Sequence, residues 1–204
     1  MTEGMVFKKS HNRRLVWFGL ALALFTACRD SPAPRPRGYH RIAIPEAAYR
    51  PYNHPSGIQF DVPQYAKIEL IAQRQASEDH WFNLALPNFQ AKVHCSYIQL
   101  QSEKQFYGML EDAHDMVFAH EMKASGIAAK GFDFPQNQVS GLLYELSGPV
   151  ATPLQFLATD STQHFLRGSV YFNHVPNPDS IAPALEQVKK DLIRLIETLE
   201  WEAS

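Results

Sequence analysis

The chain is poor in cysteine and has no apolar run long enough to cross a membrane. Only two of its 204 residues, Cys28 and Cys95, are cysteine, which excludes a disulfide-stapled scaffold. Its most apolar segment, residues 15–27, would make a helix of about 20 Å, whereas a bilayer core needs about 20 residues. With 19 basic and 21 acidic residues, the chain also lacks the basic excess of nucleic-acid-binding proteins.

Sequence motifs of enzymes are absent as well. The chain contains no GxSxG, HExxH, paired CxxC, Walker loop or GxGxxG. His114 and His120 lie about 240° apart around a predicted helix and cannot hold one metal from one side. Asp160 and His164 share one polar turn, whereas triad residues normally come from distant segments. We therefore expect no catalytic residue, no metal and no cofactor, and predict that the chain is not an enzyme.

The N-terminal segment is predicted to be a lipoprotein signal peptide, residues 1–27. Four basic residues precede the apolar run, and Ala27 stands directly before Cys28, which is the signal-peptide pattern. Phe25-Thr26-Ala27-Cys28 resembles the bacterial lipobox, although Phe25 replaces the usual leucine. The alternatives are an uncleaved anchor helix and a plain secretory signal. Cleavage would remove four basic residues and one acid, which changes the formal charge from −2 to −5.

A tether is predicted to follow the cleavage site. Residues 28–38 would carry a covalent lipid (palmitate) on Cys28 and alternate proline with other residues, which favours an extended chain of about 3 Å per residue. With Cys28 acylated, Cys95 has no intramolecular partner. It lies in an apolar strand-like run, so we expect a small buried hydrophobe.

Residues 39–204 are predicted to form a single globular α+β domain, a mostly antiparallel sheet covered by two long helices. Ser102 and Gln105 form a capping box that begins a helix expected to end near Gly126. An apolar stripe predicts the last helix from about Ile181 to Trp201. The element order resembles the Mog1/PsbP-like sandwich, by analogy only. Strands are expected at 39–44, 58–62, 66–72, 81–100 (two strands, broken near Pro87), 139–147, 153–158 and 164–172.

Aromatic and arginine residues near the tether are candidates for contact with a partner protein. Protein interfaces favour Tyr and Arg. The alternative is that these aromatics pack onto the sheet edge; Trp81 and Tyr171 are among the aromatics expected to supply core. The candidate partner-binding residues are Arg37, Tyr39, Arg41, Tyr49 and Tyr52.

Several short motifs, spread over nearly the whole chain after Cys28, are similar to those of one known family. They are Pro36–Ile42, Trp81–Leu84, Leu110–His114, Gly141–Tyr144, Thr159–Thr162, His164–Gly168, Tyr171–Asn173 and Glu197–Trp201. Together they resemble the gliding-motility lipoprotein GldD family of Bacteroidetes-type bacteria.

The resemblance implies a non-enzymatic assembly or stability component for gliding motility and type IX protein secretion. Such a protein would contact other gliding and type IX secretion envelope proteins and the membrane through its lipid, but no nucleic acid. Only Cys28 carries over with a definite role. Residues 29–32 lack the acidic run typical of surface-exposed Bacteroidetes lipoproteins, so we expect a periplasm-facing domain, with the outer membrane favoured over the inner.

The rival hypothesis is an envelope lipoprotein that binds or processes a small molecule. It requires a deep pocket between sheet and helices, with polar groups that converge on it. The candidates for those groups are His94, His164 and Asp160.

Overall fold

The computed structural model describes residues 44–46, 48–71, 79–173 and 178–201, all of them in the second of two units, residues 40–204. Within these ranges the chain forms nine strands and two α-helices. The strands are β1 Tyr49–Asn53, β2 Gln59–Pro63, β3 Lys67–Leu70, β4 Asp79–Leu86, β5 Ala91–Gln99, β6 Gly126–Phe134, β7 Val139–Ser147, β8 Leu154–Thr159 and β9 His164–Phe172. The helices are α1, Glu103–Phe118, and α2, Pro178–Glu197.

The main sheet has seven strands in the order β3-β4-β5-β9-β8-β7-β6, and every described pair is antiparallel. β1 and β2 form a separate antiparallel hairpin. The predicted α+β class with a mostly antiparallel sheet is confirmed.

One face of the sheet, which we call the core face, packs against α2 and β2. The α2 stripe of Val188, Leu192 and Leu195 is buried there, as its spacing predicted. Successive strand residues point to opposite faces, so alternate positions of the strands supply the other side of this cluster. At Gly168 an added Cβ would lie 2.3 Å from the Phe156 ring, so this close approach requires glycine. The core-face residues of β4, β5 and β9 include Phe82, Leu84, Leu86, Ala91, Val93, Cys95, Tyr97, Leu166 and Val170.

Helix α1 covers part of the opposite face. Ala113 and Val117 pack there on Ile98, Leu157 and Phe165. The Ser102 hydroxyl caps the helix by accepting from the Gln105 N–H at 3.2 Å, and this predicted start is confirmed.

The predicted end of α1 near Gly126 is wrong, because the helix stops at Phe118. A series of turns follows, and the Ser125 N–H then donates to the Ser147 carbonyl at 2.9 Å. That hydrogen bond brings the chain back to the sheet, where β6 begins. Since α1 has 16 residues and α2 has 20, the expectation of two long helices is not confirmed. The Mog1/PsbP-like likeness stays a prediction.

Most strand predictions agree with the structure. The two strands predicted at 81–100 form the β4–β5 pair, and β7 and β9 have the predicted bounds. β1 and β6 were not predicted. β1 contains Pro51, which a two-stranded hairpin tolerates because it offers edge positions, and β6 is rich in glycine and alanine and mostly exposed, so it carries no alternating signal. Of the predicted strand at 39–44, only residue 44 lies within the described ranges.

Two similar proline turns join β4 to β5 and β6 to β7. Pro87–Phe89 and Pro135–Asn137 are 3₁₀ turns, each followed by a glutamine in the left-handed region, Gln90 at φ 49° and Gln138 at φ 52°. The second turn also holds the end of α2, since the Trp201 Nε1–H donates to the Gln138 carbonyl at 3.0 Å. This contact fixes the helix over the core face.

A buried carboxylate fastens the β1–β2 hairpin to α2. Asp191 is 1% exposed and accepts hydrogen bonds from the Tyr49 hydroxyl at 2.9 Å, from the Tyr65 hydroxyl, and from Gln187 Nε2 at 3.0 Å. Burial raises the pKa of Asp191, against the opposing effect of these donors. Burial and Asp191 together raise the pKa of Tyr49 to about 12. Both tyrosines therefore remain donors at neutral pH.

Replacing this carboxylate should loosen the hairpin. Because hydrogen bonds to charged groups contribute about 1.5–3 kcal/mol each, Asp191→Ala should lower the free energy of unfolding by at least about 3 kcal/mol. Arg194→Gln is the comparison variant, since it removes the pair with Asp61 and the contact of the guanidinium with the Tyr49 ring, at 5.9 Å, and should cost less than about 2 kcal/mol. Urea unfolding measures both; equal losses would contradict this role for Asp191.

His54 is buried under the same hairpin. Its ring centroid lies 4.6 Å from that of Phe82, and its Nδ1 accepts from the Ser56 N–H at 3.1 Å. The other nitrogen, Nε2, is buried without a hydrogen-bond partner. Burial, followed by the nearby His80, lowers the pKa of His54 to about 4. The imidazole is therefore neutral at neutral pH.

This shift predicts a pH dependence of stability. Between pH 6.5 and about 4 the unfolded chain takes up a proton at His54 that the folded chain does not, so the free energy of unfolding should fall as the pH drops through this window. His54→Phe should flatten the profile, measured by urea unfolding at a series of pH values. A profile unchanged by this substitution would assign the dependence to other groups.

Candidate functional site

The part of the sheet opposite the core face that lies beside α1 forms a mixed polar and aromatic surface. Because strand residues alternate between faces, the residues between the core-face positions of β4, β5 and β9 point to this side. We call this surface the open face. It consists of Lys67, Glu69, Trp81, Asn83, Lys92, His94, Ser96, Arg167 and Tyr171.

Two large aromatic side chains of the open face are accessible to solvent. Trp81 is 50% exposed and Tyr171 is 38% exposed. The Tyr171 ring meets His94 edge-on, with centroids 5.2 Å apart. Burial, followed by Lys92, lowers the pKa of His94, so the imidazole is neutral at neutral pH.

A small polar network crosses β3, β4 and β5. Glu69 Oε2 accepts from Lys92 Nζ at 2.8 Å and from Asn83 Nδ2 at 3.3 Å, and these hydrogen bonds lower the pKa of Glu69. Asn83 itself is 8% exposed, and its Oδ1 is buried without a hydrogen-bond partner. Buried acceptors are normally paired, so this oxygen is an unsatisfied acceptor on the open face.

Arg167 lies on β9, the central strand of the seven-stranded sheet and the strand of the open face nearest α1. Its register neighbour is Ser96, which is paired in turn with Trp81, so Arg167 and Trp81 are two strands, or about 10 Å, apart. The guanidinium Nη1 lies 3.2 Å from the sulfur of Met116 on α1. Among the described residues, no carboxylate forms an ion pair with it.

The composition of the open face suits contact with another protein. Trp, Tyr and Arg are the residues most enriched among interface hot spots. The face carries three basic side chains and one acidic side chain, whereas the whole chain has a formal charge of −2. It is therefore a locally basic surface on an acidic protein.

The partner-binding residues predicted from the sequence have different positions. The Tyr49 hydroxyl is engaged by Asp191, and the half-buried Tyr52 packs against Phe60 with centroids 5.6 Å apart. Neither belongs to the open face, and their contact with a partner stays a prediction. Cys28, Arg37, Tyr39 and Arg41 lie outside the described residues, as do the predicted signal peptide and tether.

The polar residues proposed for a small-molecule pocket do not converge. His164 is on the core face, where its Nδ1 lies 2.7 Å from the Tyr97 hydroxyl and its ring stacks on Trp201. His94 is on the opposite face. Asp160 closes its own turn by accepting from the backbone N–H groups of residues 162, 163 and 164. None of the three lines either of the two larger described cavities, of about 190 and 160 Å³, which lie beside α2.

Sequence reasoning missed the open face, although a signal for it was present. The alternation that placed Phe82 and Leu84 on one side also places Trp81 and Asn83 on the other. Trp81 and Tyr171 were expected among the core aromatics, and their exposure corrects that expectation. A tryptophan at a polar-side position of an amphipathic strand was the available indication.

Three further observations concern other candidate sites. Cys95 is buried, and burial raises the pKa of its thiol to about 12, so the expected small buried hydrophobe is confirmed. Among the described residues, no group of three or more His, Cys, Asp or Glu side chains is placed to hold a metal ion. Within the same ranges, neither helix is long and apolar enough to span a membrane.

A comparison with protein-family models identifies the chain. The model described as gliding motility lipoprotein GldD matches residues 29–201. The chain belongs to the GldD family. The family description makes it a lipoprotein of gliding motility, associated with the cell envelope. A search of curated proteins found no match.

The matched range includes every strand and both α-helices that the structure describes in this GldD-family chain. All nine residues of the open face lie within it.

The exposure of the open-face aromatics predicts a small effect on stability. Trp81→Ala and Tyr171→Ala should each lower the free energy of unfolding by about 1 kcal/mol or less. Phe82→Ala, at a fully buried neighbouring position, should cost about 3–5 kcal/mol. Urea unfolding of the three variants measures the contrast; a loss at Trp81 as large as that at Phe82 would show that Trp81 is a core residue.

Proposed function

We propose that this chain is a non-enzymatic, lipid-anchored envelope component required for gliding motility and type IX protein secretion. It acts as an assembly or stability factor through contacts with other envelope proteins. The observation that carries the proposal is the open face, whose exposed Trp81 and Tyr171 and unpaired Arg167 form the composition of a protein interface. The GldD family membership supplies the biological setting.

Lipidation of Cys28 supports the anchoring part of this proposal. The family is described as a lipoprotein, and its match begins at Arg29, directly after Cys28. One acyl chain gives only marginal membrane binding, so stable attachment needs at least two. A diacylated or triacylated Cys28 would meet that need.

The side of the membrane follows from the residues after the anchor. Arg29 to Pro32 contain one acidic residue, Asp30, rather than the acidic run associated with export to the cell surface. We therefore place the domain in the periplasm, held preferentially at the outer membrane. Partner proteins of the gliding and secretion machinery would be reached from there.

A binding or processing role for a small molecule has weaker support. The polar residues that such a role would use, His94, His164 and Asp160, lie on different faces or close a turn. The cavity of about 160 Å³ is lined mainly by apolar residues such as Phe132, Phe134 and Ile196. Protein contact therefore accounts for the exposed aromatics and Arg167, which a small-molecule role does not.

Deleting the gene in the native host tests this function. We expect colony spreading to stop and secretion of type IX cargo to collapse, and the wild-type gene to restore both. Cys28→Ala should fail to restore them, while Cys95→Ala, which removes the other cysteine, should succeed. Spreading assays and quantitative proteomics of secreted and surface proteins provide the readout.

Two outcomes would count against the proposal. Full rescue by Cys28→Ala would show that the lipid anchor is dispensable. Unchanged spreading and secretion in the deletion strain would remove the proposed role altogether and favour the small-molecule hypothesis.

A further inference from the structure

The open face also indicates the chemistry of the partner. We propose that it binds an acidic segment of another envelope protein, with a partner carboxylate paired to Arg167 and the segment packed on Trp81 and Tyr171. This inference rests on the proposed function, because it identifies what the protein-contact surface recognises.

Arg167 is the first argument for a carboxylate. Its side chain is half-buried, and its one described hydrogen-bond contact is the Met116 sulfur at 3.2 Å. A thioether sulfur is a weak acceptor, whereas guanidinium presents five donors in a planar fork. That fork matches a carboxylate in bidentate geometry. Arg167, which forms no ion pair among the described residues, is therefore available for a partner's acid.

The aromatic residues define the limits of the site. Trp81 is two strands, or about 10 Å, from Arg167, and Tyr171 is four residues, or about 13 Å, from Arg167 along β9; both aromatics are exposed. Rigid aromatic side chains bury a large area at low conformational cost and exclude water from the polar contacts they surround. A partner that packs on both aromatics would also cover Arg167, and the partial desolvation would strengthen its pairing with a carboxylate.

The charge distribution favours an acidic protein over an anionic membrane. Among the side chains that the structure describes, Lys67, Lys92 and Arg167 are opposed on the face by Glu69 alone. The neighbouring helix α1, however, exposes Glu111, Asp112 and Asp115, and these would be repelled by an extended anionic lipid surface. A narrow acidic segment brings a single carboxylate to Arg167, which contacts α1 at Met116, and therefore meets less of this repulsion than a lipid surface would.

Photocrosslinking in the native host tests the inference with the full lipidated chain. A photoreactive amino acid replaces Ser96, at the centre of the open face, or Met122, which is 100% exposed in the turn after α1 and serves as the control position. We expect a discrete protein adduct from position 96 that is absent from position 122. Mass spectrometry of the crosslinked peptide should place an Asp or Glu beside the crosslink.

Charge variants then test the pairing. Removing one partner of a desolvated charge pair costs enough to weaken binding by about tenfold or more, so Arg167→Gln should reduce the adduct by that factor. Arg194→Gln, at an exposed arginine paired with Asp61, should leave it unchanged. Arg167→Glu combined with Asp→Arg or Glu→Arg at the identified partner residue should restore the adduct.

A second variant keeps the test decisive if the Arg167 variants misfold. Ser96→Glu adds a negative charge to the face without removing an existing contact, and it should weaken crosslinking at a photoreactive residue placed at position 171. Ser96→Lys should not. Equal adducts with both Ser96 variants and with Arg167→Gln, or adducts to lipid alone, would overturn the inference.

The outcomes separate this inference from the proposed function. If deletion stops spreading and secretion but Arg167→Gln and Ser96→Glu both restore them fully, the function stands and the acidic-partner inference is wrong. If the deletion strain spreads and secretes normally, the proposed function fails whatever the crosslinking shows.

Discussion

The strict alternation of side chains along β4, β5 and β9 is the constraint on which the rest of the structure depends. It places Phe82, Val93 and Val170 under α2 and, by the same geometry, Trp81, His94 and Tyr171 on the opposite side. Shifting any of these strands by one residue would exchange the two sets. The core and the open face are therefore not independent features, since the packing of α2 on one side determines which residues are presented on the other.

Rigidity of the core side is what makes the open face a defined surface. Asp191 and its tyrosine donors hold the β1–β2 hairpin on α2, while Trp201 and Gln138 hold the end of that helix. The strands between them have little freedom to change register. Arg167 is thus held at a fixed position with unsatisfied hydrogen-bonding capacity. A partner that pairs with it need not reorganise the sheet, which lowers the cost of binding.

Local patterns predicted most of the fold but not the candidate site. Three local patterns each had one physical cause and agree with the structure. They are the period of two in β4 and β5, the capping box at Ser102 and the apolar stripe of α2. β6 was not predicted because only Ile127, Phe132 and Phe134 of this edge strand pack on the core, and the small, exposed residues between them interrupt any alternating pattern. The open face was not predicted because the exposure of Trp81 depends on how far α1 extends over the sheet. No short stretch of the sequence carries that information. The family resemblance was confirmed by the match to residues 29–201, whereas Cys28 and the tether lie outside the described residues.

The central claim is that the open face is covered by another protein in the living cell. Maleimide labelling of Ser96→Cys tests it directly, because Cys95 is buried with its pKa raised to about 12 and contributes little background. We predict that Ser96→Cys reacts readily in the purified protein but slowly in cells, whereas Met122→Cys, at a fully exposed turn, reacts at the same rate in both. Equal reactivity of Ser96→Cys in cells and in the purified protein would show that the face is free, and would contradict the account.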